Sequence, residues 1–160
     1  MAKKITYVIM LSELFPPYHP RHGESTCFED HLLEEKVHTI RVNADLWEAR
    51  AEKINSGKAV LSIRQWQGKP YGKGTKQVEV CRLTHIGTQR ITLRREQGGN
   101  YMQFLPYEAV ISDFVGEKHV DLDTVAYNDG LSVADFKSWF SCRKPVDFSG
   151  VVIHFTDFRY

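Results

Sequence analysis

The fold of this chain is decided near its centre, where residues 59–94 read AVLSIRQWQGKPYGKGTKQVEVCRLTHIGTQRITLR. Three segments of this stretch, at residues 59–66, 77–84 and 89–94, are rich in Val, Ile, Leu and Thr, as β-strands are. Glycine-bearing loops separate these segments, so each strand is followed by a turn. The loops are too short to hold crossover helices, which disfavours a parallel α/β fold.

Further strands and helices are predicted on both sides of this centre. Short apolar or alternating runs predict strands at residues 5–11, 37–42, 101–105 and 151–155. Capping residues and amphipathic spacing predict helices at residues 27–34, 44–55 and 133–140. Thr26 and Glu29 form a capping-box pattern at the start of the first helix. Asn43 and Ser132 are the predicted N-cap residues of the other two.

These elements predict a fold of the α+β class, a small β-barrel of about five or six mixed strands with inserted α-helices. No internal repeat, low-complexity tract or linker divides the sequence, so residues 1–160 are expected to form a single domain. The apolar fraction of 42% and the charged fraction of 26% are ordinary for a globular chain, which argues against disorder.

Cysteine usage and hydropathy bear on the compartment. The three cysteines form no CxxC pair and leave one thiol unpaired, which favours a reducing environment. No apolar run approaches the roughly 20 residues that would span a bilayer. The run at residues 5–11 is short and is followed by Glu13, so we interpret it as a first β-strand rather than a signal peptide. We therefore expect a cytoplasmic protein without a membrane partner, and a monomer is the simplest oligomeric state.

The charge of the chain is unevenly distributed, although the formal net charge is only +1. Residues 58–95 contain nine lysines and arginines and one acid, Glu79, which gives a balance of +8 between acidic flanks. Such a block predicts a positively charged surface that contacts a phosphate-bearing partner. The alternative is a solvated face whose charges the acidic flanks neutralise in the folded protein.

The segment at residues 36–41 reads KVHTIR and places a lysine, a hydroxyl and an arginine close together. In a regular strand Thr39 and Arg41 share one face and Lys36 points to the other, so Lys36 reaches Thr39 only if the segment begins as a loop or turn. A lysine beside a threonine can act as the base for a nucleophile or bind an anion. The spacing alone also fits a half-buried strand with an exposed basic rim.

The pattern K-x-x-T-x-R, formed here by Lys36, Thr39 and Arg41, resembles the G-x-K-x-x-T-x-R signature of ASCH domains, which belong to the PUA-like β-barrel superfamily. As in that family, the pattern follows a first strand and a helix. Glu34 occupies the place of the motif glycine. The resemblance implies a PUA-like barrel with a cleft that the motif lines.

A second segment, NDGLS at residues 128–132, also resembles the family, in which an acidic residue commonly precedes the next helix. That residue is Asp129, one methylene shorter than the glutamate of the family's amidohydrolases. Related domains are thought to bind RNA or nucleosides, and some small bacterial members hydrolyse the amide of N4-acetylcytidine with a Lys, a Thr and a Glu. The resemblance implies that Lys36 activates Thr39 as the nucleophile, while Asp129 shuttles the proton or holds the lysine.

A second candidate site lies at residues 62–73, where cations alternate with aromatic rings as a strand enters a glycine-rich loop. Cations hold phosphates and flat rings stack on bases, which is how single-stranded nucleic acid is bound. The expected ligand or nucleic-acid contacts are Arg41, Arg64, Trp66, Lys69, Tyr71 and Lys73. The alternative is that Trp66 belongs to the core and that the lysines solvate the loop.

No metal site or cofactor is predicted, although five potential ligands fall within twenty residues. They are His19, His22, Cys27, His31 and His38. Their spacings form no finger or ribbon pattern.

The loop at residues 15–23, rich in proline and histidine, is long enough to fold over a cleft.

Three functions are consistent with these features. The first is a binding module that contacts RNA or a modified nucleoside through a basic cleft. The second is an amidohydrolase acting on N4-acetylcytidine-like nucleosides, with Lys36, Thr39 and Asp129 as catalytic residues. The third is a ribonuclease, for which no histidine pair has an obvious acid–base spacing. An enzyme requires the three catalytic side chains to converge, whereas a binder requires only a continuous basic surface.

Overall fold

The structure, a computed structural model, describes residues 2–97 and 103–160. In these residues the chain is of the α+β class, with eight strands and four helices. The strands are β1 (Ile5–Leu11), β2 (His38–Arg41), β3 (Ala59–Gln67), β4 (Lys76–Leu83), β5 (Gly87–Gln97), β6 (Phe104–Ser112), β7 (Glu117–Val120) and β8 (Phe148–His154). The helices are α1 (Phe28–His31), α2 (Ala44–Asn55), α3 (Leu122–Asn128) and α4 (Val133–Trp139).

The strands form two sheets. In the three-stranded sheet, of order β1-β3-β4, β1 and β3 are parallel and β3 and β4 are antiparallel. The parallel pair can form because α1, β2 and α2 lie between β1 and β3 and supply the crossover. The five-stranded sheet, of order β2-β8-β5-β6-β7, is antiparallel throughout. These pairings confirm the α+β class, but they do not join the two sheets, so the closed barrel stays a prediction.

Local sequence signals account for the best-predicted elements. The three central segments form β3, β4 and β5, within a few residues of the predicted bounds. The side chain of Asn43 accepts a hydrogen bond from the backbone N–H of Leu46, which caps α2. Ser132 caps α4 in the same way, by accepting from the N–H of Asp135. Gly57, at φ +82°, follows the end of α2, as a helix-terminating glycine does.

The first predicted helix is wrong in length and in its cap. It spans Phe28–His31 rather than residues 27–34, and its N-cap residue is Cys27, at φ 57°. Thr26 does not form the predicted capping box: its hydroxyl donates to the carbonyl oxygen of Ser12 at 2.7 Å and accepts from the N–H of Phe28 at 3.4 Å rather than from that of Glu29. Thr26 thus lies before the N-cap residue, and the helix begins one residue later than predicted.

The predicted number of strands is too low, since the described residues contain eight. The strand expected at residues 101–105 corresponds to β6, which begins at Phe104 and continues to Ser112; residues 101–102 lie outside the described residues. Two short elements, β7 and α3, were not predicted. A four-residue edge strand and a seven-residue helix carry too few residues to establish a period.

One hydrophobic cluster contains buried side chains from both sheets, among them Leu61 and Ile63 of β3 and Ile153 of β8. Helix α2 contributes Ile54 to this cluster and α4 contributes Phe136. Next to it, the backbone N–H of Val37 donates to the carbonyl oxygen of Asn128 at 2.9 Å, which ties the segment before β2 to the end of α3. Among the described residues, no helix combines the length and the apolar character needed to cross a membrane.

Candidate functional site

Lys36 lies two residues before β2 and is buried, with 2% of its surface exposed. A turn over residues 33–35, with Leu33 at φ 69°, precedes it. The stem of Lys36 lies against Gly130, which follows α3 at φ +84°. A Cβ atom on Gly130 would lie 3.0 Å from Cβ of Lys36, so the close packing requires glycine.

The ammonium group of Lys36 donates three hydrogen bonds. Its acceptors are the carbonyl oxygen of Asp129 at 2.7 Å, the carbonyl oxygen of His38 at 3.1 Å and Oδ1 of Asp129 at 3.2 Å. Nζ also lies 4.3 Å from the centroid of the Phe28 ring, within the range of a cation–π interaction. A lysine ammonium has three N–H donors, so all of them are used.

Lys36 and Asp129 form a buried ion pair. Burial lowers the pKa of Lys36; the carboxylate of Asp129 opposes this effect and Arg41 adds to it. Burial alone would raise the pKa of Asp129, but the charge of Lys36 and the contact with His38 outweigh it and hold that pKa below its usual range. Three acceptors around Nζ and the lowered pKa of Asp129 favour an ammonium paired with a carboxylate, in which the lysine is less basic than a free one.

His38 extends this pair on the far side of Asp129. Its Nδ1 makes a long contact of 3.5 Å with Oδ1 of Asp129, and its Nε2 lies 2.6 Å from the hydroxyl of Tyr160. That hydroxyl also accepts a hydrogen bond from Nδ2 of Asn128, at 3.1 Å. Burial lowers the pKa of His38, which favours a neutral ring. Because the carboxylate only accepts, the proton belongs on Nδ1, and Nε2 accepts from Tyr160.

Thr39 and Arg41 line one small cavity with Lys36 and Asp129. The cavity has a volume of about 30 Å³, which is room for about two water molecules. Thr39 is buried, and within the described residues its hydroxyl makes no hydrogen bond. The structure thus brings the predicted catalytic residues to one cavity, with Lys36 bonded to Asp129 and not to Thr39.

A larger groove adjoins this cavity and shares Leu11 and Ser12 with it. It has a volume of about 490 Å³, within the range of small-molecule sites. Trp66 and Lys69, from the end of β3 and the following loop, line the groove. Trp66 is only partly buried, and its ring centroid lies 5.0 Å from that of Tyr71. It therefore belongs to the groove wall rather than to the core.

The other predicted nucleic-acid contacts lie away from the groove wall. Arg64 donates to Oγ of Ser62 at 2.9 Å and to Oε1 of Gln77 at 3.2 Å, which holds its side chain along the β3–β4 pair. Tyr71 and Lys73 are exposed on the loop that follows β3. Of the residues predicted at this second site, the structure places Trp66 and Lys69 on the groove.

The proline- and histidine-rich loop is fixed against α4. The buried His19 lies with Nε2 3.0 Å from the carbonyl oxygen of Asp135, and Arg21 forms an ion pair with the Asp135 carboxylate at 2.7 Å. The hydroxyl of Tyr18 donates to the carbonyl oxygen of Trp139 at 2.9 Å. Because Trp139 also lines the small cavity, this loop helps to shape that cavity.

The histidines of the described residues bear on the metal-binding and ribonuclease alternatives. No group of three or more His, Cys, Asp or Glu residues is arranged to hold a metal ion there. His38 and His154 do form a pair, with ring centroids 5.6 Å apart. Both rings are fully buried, so a phosphodiester cannot reach them.

Sequence reasoning missed several residues that build the site. His38 lies inside the motif, two residues after Lys36, and this closeness in sequence was the signal that could have placed it in the site. Tyr160 lies 122 residues from His38, and no pattern in the sequence links them. Phe28 was predicted only as part of a helix.

No protein-family model, no curated protein and no solved structure matches this chain.

Proposed function

We propose that this chain is a binding module of the ASCH type, in the PUA-like superfamily, and that it binds a nucleoside or a single-stranded RNA segment in the groove beside Lys36. One observation carries this proposal. The groove with Trp66 and Lys69 on its wall adjoins the cavity of Lys36 and Thr39, and the two share Leu11 and Ser12. An aromatic ring and a cation stand beside the buried motif, which suits a base and its sugar.

The state of Lys36 favours binding over catalysis. All three of its N–H donors meet acceptors, two of them backbone carbonyls and one the Asp129 carboxylate. A general base must hold a free electron pair close to the proton that it removes. Here all N–H groups of Nζ donate hydrogen bonds. The Lys36–Asp129 ion pair therefore stabilises the walls of the cavity and sets its charge.

Part of the basic block supports a polyanionic partner, while Arg82, Arg90 and Arg94 form ion pairs with acidic residues. Lys69, on the groove wall, and Lys73, farther along the same loop, are both exposed, and neither forms an ion pair in the described residues. Exposed cations beside a groove attract phosphates and release counterions when phosphates bind. We therefore expect the affinity for single-stranded RNA to fall steeply as salt is raised.

This expectation can be tested by fluorescence anisotropy with a labelled single-stranded RNA over a series of salt concentrations. The slope of log K against log salt is roughly −0.7 for each phosphate contact on a single strand. The double variant Lys69→Ala/Lys73→Ala should bind more weakly and with a shallower slope. Arg90→Ala/Lys118→Ala, which removes two charges that do not line the groove, should change neither. An affinity that is indifferent to salt would refute the proposal.

A second candidate function is the hydrolysis of an N4-acylated cytidine. It is favoured by the unbonded hydroxyl of Thr39, which lines one cavity with a lysine whose pKa burial lowers. Thr39 Oγ would attack the amide carbon and pass its proton to a neutral Lys36. The amide nitrogen would leave with that proton, and water would then hydrolyse the acyl-threonine ester. Asp129 would have to release Lys36 for this step.

Hydrolysis can be followed by chromatography of N4-acetylcytidine and its product. If turnover exists, Thr39→Val should abolish it by removing the hydroxyl at similar volume. Lys36→Met should also abolish it by removing the base at similar length, and because this change destabilises the fold, its activity is compared only where circular dichroism shows the variant folded. Asp129→Asn should lower the rate if the carboxylate moves a proton and raise it if the carboxylate only holds the cation. If the parent protein shows no turnover, the binding function stands alone.

A further inference from the structure

We infer that the small cavity at Thr39 and Arg41 binds an anionic group, so that the ligand of the proposed site is a nucleotide, with a phosphate monoester or diester, rather than a neutral nucleoside. This inference rests on the proposed function, because the groove beside the cavity supplies the place for the base. It adds the chemical class of the group that Arg41 recognises.

Arg41 uses only part of its hydrogen-bonding capacity. Its Nη2 donates to the carbonyl oxygen of Met10 at 2.9 Å, and its Nη1 donates to the carbonyl oxygen of Ile40 at 3.2 Å. A guanidinium has five N–H donors, so three of them remain. Among the described residues no carboxylate forms an ion pair with Arg41. The chain therefore leaves N–H donors of this cation available to a ligand.

The charges around the cavity do not balance. Lys36 and Arg41 are positive, Asp129 is negative, and burial keeps His38 neutral by lowering its pKa. The one carboxylate is already occupied by Lys36 and lies against His38. Burial lowers the pKa of Arg41 and the charge of Asp129 only partly opposes this effect, which reflects the cost of holding a cation away from water. An anion in the cavity would offset that cost, and a neutral group would not.

The size of the cavity fits the oxygens of a phosphate rather than a whole nucleoside. A volume of about 30 Å³ admits about two atoms of the size of a water oxygen. Arg41 and the hydroxyl of Thr39 are suitable donors to two such oxygens, and arginine binds phosphate through paired N–H groups. The sugar and base would then occupy the adjoining groove, next to Trp66.

Calorimetric titration of the wild-type chain tests this inference directly. Each of the four ribonucleosides is compared with its 5′-monophosphate, its 3′-monophosphate and a dinucleotide. We expect the phosphorylated ligand to bind about tenfold to hundredfold more tightly, because hydrogen bonds between charged groups contribute about 1.5–3 kcal/mol. The 5′, 3′ and dinucleotide ligands distinguish a free nucleotide from a segment of RNA. Inorganic phosphate should compete with the nucleotide and should leave nucleoside binding unchanged.

Variants assign the effect to Arg41. Arg41→Gln should remove the preference for the nucleotide while nucleoside binding persists, and Arg90→Gln should keep the preference. Since Arg41 also ties β2 to β1, circular dichroism must show that the variant is folded. If it is not, phosphate competition on the wild-type chain decides the question. Equal affinity for nucleoside and nucleotide overturns the inference alone, whereas no binding of nucleoside, nucleotide or RNA overturns the proposed function.

Discussion

Replacing Lys36 by methionine should destabilise the protein strongly, although the two side chains are similar in length. The change removes three hydrogen bonds and a cation–π contact. It also leaves the carboxylate of Asp129, whose side chain is 7% exposed, without its partner. Breaking a buried ion pair from one side costs about 3–5 kcal/mol, because the remaining charge stays buried. That is a large part of the roughly 5–15 kcal/mol by which domains are stable.

Urea unfolding followed by circular dichroism measures this change. With a slope of about 2 kcal/mol/M, the midpoint should fall by about 2 M. Lys53→Met, which replaces an exposed lysine in α2, should shift the free energy of unfolding by less than about 0.5 kcal/mol. The double variant Lys36→Met/Asp129→Leu should recover most of the lost stability, because it leaves no unpaired charge.

The pH dependence separates lost charge pairing from lost packing. In the wild type the pKa of Asp129 lies below its usual range, so its stabilising effect is present above the unfolded-state pKa and is lost as pH falls through the folded-state pKa. In Lys36→Met, burial without the lysine should raise the pKa of Asp129. Protonation then stabilises the variant as pH falls, and the difference between the two proteins should narrow from pH 7 to pH 4. A difference that is constant with pH would refute the ion-pair explanation.

Three further outcomes follow from the same geometry. Gly130→Ala should lower the free energy of unfolding by about 1–2 kcal/mol, because the new Cβ meets Lys36 and the backbone is at φ +84°; thermal unfolding measures this. Trp66→Ala should weaken nucleotide binding by about 1–3 kcal/mol, and Trp66→Phe should retain most of the affinity, which fluorescence anisotropy with a labelled ligand can follow. Burial lowers the pKa of His154 to about 3. In the unfolded chain this histidine is protonated below about pH 6.5, whereas in the folded chain it is protonated only below about pH 3. Stability should therefore fall as pH drops below 6.5, by up to about 1.4 kcal/mol per pH unit for this residue, and His154→Gln should reduce that slope in urea titrations.

Elements whose signals are local could be predicted from the sequence, and α2 is the clearest case. Asn43 caps the start of α2 and Gly57 terminates it, and both residues lie directly next to the helix. The capping box at Thr26 did not form: Thr26 is held to Ser12, 14 residues away in the chain, and the helix begins one residue later, after Cys27. A local pattern predicts correctly only where no distant contact repositions its residues.

The site divides in a similar way. The motif at residues 36–41 is contiguous, so its side chains could be singled out from sequence. Asp129 lies 93 residues beyond Lys36, and only a family resemblance connected the two. The partners of His38 and of Arg41 are set by the packing of β2 against distant segments, and sequence spacing does not encode them.

The same ion pair that defines the site also limits which experiments can report on it. Because Lys36 and Asp129 are buried and hold α3 to the start of β2, variants at either residue change stability and function together. Trp66 lines the groove next to this pair and makes no hydrogen bond with it, so its substitution should alter binding while the fold persists. Arg41 stands between these cases, since it lines the cavity and also bonds to Met10 of β1. Binding measured on Trp66 and on Arg41 variants therefore tests function, and unfolding measured on Lys36 variants tests the architecture that supports it.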